Sequence, residues 1–150
     1  METENLRITK LKNYLTNIIK EIAEVRGINV DILPKEINNY SLNKIPEDSF
    51  LKRYIDGTEE HQDTYTLSSK RNYSYKETTN LSNIGFFEIF EKKIWNNNRK
   101  GDLPEIAGIK QIECLNCGTL NIADTNSAIF DIQIRITYNV YEEEIDKVSL

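Results

Sequence analysis

Ser127-Ala128-Ile129-Phe130-Asp131-Ile132-Gln133-Ile134-Arg135-Ile136-Thr137-Tyr138-Asn139-Val140-Tyr141 is the stretch whose pattern decides the fold. Phe130, Ile132, Ile134, Ile136, Tyr138 and Val140 share one parity; Asp131, Gln133, Arg135, Thr137 and Asn139 share the other. Successive side chains of a strand point to opposite faces, so this spacing predicts a strand over 127–141 with one face in a core and one in water. Residues 109–123 read as its partner. Asp124-Thr125-Asn126 between them supplies turn residues for an antiparallel hairpin.

Moving back along the chain, residues 80–98 read as a helix. Leu81, Ile84, Phe87, Phe90 and Ile94 form its expected buried stripe, widened by Phe86, Ile89 and Trp95. So large an aromatic load calls for a sheet to pack on. Asn96-Asn97-Asn98 weakens the helix, and Gly101 with Pro104 ends it. Residues 63–75 alternate again. Tyr65, Leu67, Ser69, Arg71, Tyr73 and Tyr75 share one face, expected to be partly exposed and to serve as a contact surface. Phe50-Leu51-Lys52-Arg53-Tyr54-Ile55 pairs briefly before a turn at Asp56-Gly57.

Residues 34–50 read as mostly loop with some strand. Residues 28–33 read as a half-buried strand on Ile28, Val30 and Ile32. Residues 4–26 read as an amphipathic helix, with Ile8, Leu11, Leu15, Ile18, Ile19, Ile22 and Val25 on one stripe, Thr3 or Asn5 as cap and Gly27 as stop. The order helix-strand-strand(s)-helix-strand-strand predicts an α+β fold: an antiparallel sheet of about four strands with two main helices packed on one face. The chain has 150 residues, with no repeat and no linker-like tract, and reads as one domain over 1–150. Its acidic end, 142–150 with Glu142-Glu143-Glu144, reads as a solvated tail.

Composition bounds the partners. The net charge is −5, and the longest basic cluster is Asn98-Arg99-Lys100, so no stripe suited to phosphates is expected and no nucleic-acid specificity. No stretch approaches the ~18 consecutive apolar residues of a membrane span. The start, Met1-Glu2-Thr3-Glu4-Asn5, lacks the basic and then apolar order of a secretory signal, so residence in a cytoplasm is expected.

Candidate chemistry is sparse. His61, the one histidine, sits beside Glu59, Glu60 and Asp63 and reads as a solvated loop residue. Cys114-Leu115-Asn116-Cys117-Gly118 resembles half of a zinc ribbon without its other half. In a regular strand, positions three apart face opposite ways, so Cys114 reads as a small core residue and Cys117 as incidental, with a bend at Gly118 as the route by which they would meet. The sequence holds no phosphate-binding glycine loop, nucleophile elbow or calcium loop. No catalytic residue, metal or cofactor is expected, and no enzymatic activity.

Several segments taken together carry a resemblance. Arg53-Tyr54-Ile55-Asp56-Gly57 precedes a Tyr/Leu-bearing strand ending near Ser69-Lys70-Arg71-Asn72-Tyr73. Asn98-Arg99-Lys100-Gly101-Asp102-Leu103-Pro104 follows the helix bearing Trp95, and a long hairpin ends in Ile134-Arg135-Ile136-Thr137-Tyr138. Over about 50–141 this layout resembles small phage and prophage proteins of low-GC Gram-positive bacteria. These are often labelled minor capsid proteins and look like tail terminators. The resemblance implies an α+β subunit of a ring, usually a hexamer, on the head-proximal end of a phage tail or a phage-tail-like bacteriocin. Such a ring caps the tube, fixes its length and meets the sheath or the head connector. It implies no enzymatic activity and no cofactor, and a place in the particle after assembly in the bacterial cytoplasm. The Cys-x-x-Cys pair is not part of the family pattern.

On this reading the assembly interface draws on Tyr54, Asp56 and Gly57, on Tyr65, Tyr73 and Tyr75, and on Arg99, Lys100 and Asp102. Its partners are further copies of the chain, the tube protein, the sheath and the head–tail connector. The loops 56–63 and 97–106 are expected to make the contacts. Two alternatives stand beside it: a head-completion or neck-joining protein, and a small metal or redox protein built on Cys114 and Cys117.

Overall fold

The computed structural model describes residues 6–23, 27–33, 37–72, 77–123 and 126–141. Its elements run α1 (Arg7–Ile22), β1 (Gly27–Val30), β2 (Asn39–Lys44), β3 (Phe50–Arg53), β4 (Glu59–Asn72), α2 (Glu77–Lys100), β5 (Ile109–Ala123) and β6 (Ser127–Val140). The protein is thus α+β with two helices, as its alternation and helical periods predict. No described helix is long and apolar enough to cross a membrane.

The sheet is larger than the expected four antiparallel strands. Among the described residues six strands join, in the order β1-β2-β4-β6-β5, with β3 set against β4 off that path. β4 and β6 pair along their whole lengths, from Glu59 opposite Val140 to Asn72 opposite Ser127. The other side of β4 is shared: Tyr65–Ser69 pairs with β2 and Glu59–His61 with β3. β1 joins β2 in parallel, which makes the sheet mixed. β2 hides in the stretch read as mostly loop because only Tyr40 and Leu42 carry its inward face. Both are fully buried, and tertiary burial rather than local pattern fixes the strand.

Register places both helices on one face. Tyr65 lies opposite Ile134, Leu67 opposite Ile132 and His61 opposite Tyr138, so these side chains share a side. α1 reaches that side through Arg7, hydrogen-bonded to Asp63, and α2 through Phe87, whose ring lies 5.2 Å from that of Phe130. One core follows: Leu11, Leu15, Ile18 and Ile19 of α1, Phe86, Phe87, Phe90 and Ile94 of α2, and Ile132, Ile134 and Ile136 of β6. Each such side chain taken from water contributes on the order of 2 kcal/mol.

Four expectations change. The Tyr65 face of β4 is the inner face: Tyr65 is 2% exposed and Leu67 and Ser69 are fully buried, because the helices cover this side. Tyr73 and Tyr75 lie outside the described residues. In α2, Leu81, Ile84, Ile89 and Trp95 are exposed, and the buried stripe is Asn83, Phe86, Phe87, Phe90 and Ile94. A helix turns about 100° per residue, so the run of three-residue steps from Leu81 to Phe90 drifts half a turn and puts Leu81 on the opposite side. α1 stops at Ile22, with Ala23 already extended, and Gly27 opens β1 rather than ending the helix. The expected caps and Val25 lie outside the described residues. In β1 only Ile28 is buried; Val30 and Ile32 face solvent, past a left-handed Asp31 at φ +62°.

The hairpin β5–β6 agrees with its sequence, although β5 is irregular. Its ladder to β6 shifts register at four places, two of them between Cys114 and Thr119. Gly118 sits in this irregular stretch at φ +80°. A Cβ there would lie 2.6 Å from Cδ2 of Phe87, so only glycine lets α2 settle this close to β5.

Candidate assembly surface

The register also decides which loops meet. β4 begins opposite the end of β6, and β5 begins at Ile109 opposite Tyr138. The β3–β4 turn, the loop 101–108 and the end of β6 therefore share one end of the sheet. The loops expected at 56–63 and 97–106 are shorter than foreseen, since 59–63 lies in β4 and 97–100 in α2.

At the turn, the Tyr54 amide donates to the Thr58 carbonyl at 2.7 Å and the Thr58 amide donates to Asp56 Oδ1 at 2.9 Å. A short carboxylate closing its own turn is a local device, and Gly57 at φ +91° completes it. Ile55 projects from the tip, wholly exposed. The Tyr54 hydroxyl donates to Glu60 Oε2 at 2.7 Å, and Lys110 at the start of β5 donates to the same oxygen. These bonds, Lys110's first and then Tyr54's, hold Glu60 below the usual carboxylate range.

Behind the turn, on the helix side, stands a second charged group. Asp63 is 1% exposed and takes Arg7 Nε at 3.0 Å and the Tyr138 hydroxyl at 3.2 Å, with Lys44 Nζ at 3.6 Å. The Arg7 guanidinium also lies 4.6 Å over the Tyr138 ring. Burial pushes the Tyr138 hydroxyl up to about 12 and raises that of Tyr65 as well.

His61 belongs to this end and is no solvated loop residue. It lies in β4, with Ser49 Oγ 2.8 Å from Nδ1 and Glu59 Oε1 2.9 Å from Nε2. Glu59 is held below the usual range by hydrogen bonds, first from Arg53 and then from His61. A carboxylate only accepts, so Nε2 donates to Glu59, and in the neutral imidazole Nδ1 accepts from Ser49. A serine, an imidazole and a carboxylate in series can move a proton off a nucleophile. Here Glu59 is shared with Arg53, whose Nε donates at 3.0 Å. The imidazole is held between the stacked Tyr138 ring and the edge of Phe50, each 5.9 Å away. The chain of bonds ties the residue before β3 to β4.

Of the other expected contact residues, Arg99 lies 4.9 Å over the Trp95 ring, Lys100 is exposed, and the Asp102 carbonyl accepts from the Tyr14 hydroxyl at 2.8 Å. Tyr54, Asp56 and Gly57 stand at the surface near the same end, whereas Tyr65 is in the core. Cys114 is a half-buried free thiol against the core. The register shifts beside it break the alternation on which the two-face argument for the cysteines depended. The side chain of Cys117 lies outside the described residues. Among the described residues no three His, Cys, Asp or Glu side chains are grouped to hold a metal.

The surface that sequence reasoning missed is the outer side of α2. Leu81 and Ile84 are exposed together there, and Trp95 is exposed three turns further on, past Glu88, Glu91 and Lys92 on the same side. Beside it, Ile89 and Trp95 with Ile112 and Cys114 line a groove of about 780 Å³ between α2 and β5. Angular placement at 100° per residue would have separated Leu81, Ile84 and Trp95 from the buried side of this helix. No protein-family model matches the chain, and no curated protein matches it.

Proposed function

We propose that the chain is a structural subunit of a phage tail or phage-tail-like particle: a tail terminator that closes a ring, of six copies, over the head-proximal end of the tube. The observation that carries this reading is the set of large apolar side chains left exposed on the outer side of α2. Leu81, Ile84 and Trp95 stay exposed on a helix whose other side already fills the core. Large exposed apolar side chains beside a groove suit a surface that another one covers, and tryptophan and arginine, here Trp95 with Arg99 over its ring, are enriched at the energetic centres of interfaces. Two helices on one sheet, and charged turns gathered at one end of it, suit a ring subunit whose edges meet neighbours and whose ends meet the tube, sheath or head connector. The role calls for no catalytic step and no cofactor.

The test is assembly. Light scattering of the purified chain should return a closed oligomer, alone or on isolated tubes. Electron microscopy of particles from cells lacking the gene should show tubes of uncontrolled length. Tubes of normal, uniform length would end this reading. Labelling at the neck instead of the tube end would move the protein to a joining role.

A further inference from the structure

We infer that the subunit seam of this ring seats β3 and its turn, Phe50–Ile55, from one copy in the α2–β5 groove of the next. The inference rests on the ring reading above and names the two faces that would meet. A ring needs two unlike patches on each subunit, since a patch that matches itself closes a two-fold dimer instead. The sheet has such a pair at opposite edges. On the β5 edge the groove presents Ile89 and Trp95, with the buried Ile112 at its floor. On the other side of β4, β3 presents exposed Phe50 and Leu51, with Ile55 wholly exposed at the tip.

Charge supports the same pairing. The groove is lined by Glu88, Glu91 and Glu113 against Lys92, with Arg99 beside it over the Trp95 ring, so carboxylates outnumber cations by three to two. β3 carries Lys52 and Arg53, and all four of its residues are exposed. Arg53 is engaged by Glu59 in an ion pair, whereas Lys52 lies over the Tyr54 ring, 5.1 Å from its centroid, and acts on Glu60 only through its field. Lys52 is thus placed to meet the excess of carboxylates across the seam. The shape of the edge favours side chains entering a groove over an added strand. β5 changes register four times along its ladder to β6, and an irregular edge is a poor template for continuous backbone pairing.

The experiment compares the wild-type chain with Ile55→Asp and Trp95→Glu by sedimentation and light scattering, with circular dichroism to check that each is folded. Both positions are surface positions, so the unfolding midpoints should match the wild type. Each variant alone should associate ~30-fold or more weakly, the loss expected at a central contact. An equimolar mixture should then form a 1:1 dimer. Ile55→Asp still has an intact groove and Trp95→Glu an intact strand, which together make one seam but cannot close a ring. Variants that assemble like the wild type, or a mixture that stays monomeric, would overturn the seam while leaving the ring standing. A wild-type chain that stays monomeric at all concentrations and on tail tubes would remove the ring and the seam with it.

Discussion

Asp63 puts a carboxylate in the interior with Arg7, Lys44 and Tyr138 around it, and both cations are about half exposed. A buried charge stripped of a partner costs more than the pair as a whole is worth. Arg7→Met should therefore destabilise the protein by about 3 kcal/mol, and adding Asp63→Asn should recover most of that loss, as a double-mutant cycle in urea would record. Full additivity of the two would mean that Arg7 and Asp63 are not coupled. Burial beside them disfavours the phenolate of Tyr138 and pushes its hydroxyl up to about 12. An unfolded tyrosine ionises near 10. Below pH 10 both states hold the proton and nothing is lost. From about pH 10 toward 12 the unfolded chain gives it up first, so stability should fall as pH rises through that window. Absorbance titration should show a late group of tyrosines ionising with unfolding, reduced in Tyr138→Phe. A single titration near pH 10 with the fold intact would contradict this. None of this was readable at His61 or Asp63 in the sequence, because their partners Ser49, Arg7 and Tyr138 come from distant parts of the chain.

Among the elements, the hairpin β5–β6 and the existence of both helices were legible in the sequence, since alternation and 3.6-residue periods are local signals. Which side of each element faces inward was not always legible. α2 also carries large apolar residues on its outer side, so a stripe counted in threes pointed outward at Leu81 and Ile84. β4 carries tyrosine on one face and threonine on the other, and both are good strand residues. Only the helices above Tyr65 decide between them. The seating of α2 depends on Gly118, which combines a left-handed backbone with contact to Phe87. Gly118→Ala should cost on the order of 3 kcal/mol, part from the backbone and part from the clash. Phe87→Ala added to it should relieve the clash and leave the backbone part, so the two losses should sum to less than their separate values in chemical denaturation. Equal stability of wild type and Gly118→Ala would refute this packing.

At the scale of the whole molecule, one cluster of buried side chains joins both helices to the sheet. The described chain should then unfold in one cooperative step, with helix and sheet signals and the fluorescence of Trp95 sharing a midpoint. Trp95 is the one tryptophan and is 60% exposed, so its emission should shift to the blue when copies assemble, not when the monomer folds further. Separate midpoints for helix and sheet would break the single-core description. The sequence by itself determined the fold class, the two helices and the long hairpin, because each rests on a periodicity that a short window of chain already contains. Tertiary structure alone decided the mixed sheet, the inward turn of Tyr65, the bonding of His61 and Asp63, and the uncovered side of α2. Those depend on which distant segments share a surface, and a local pattern with two acceptable faces does not say which one another layer will cover.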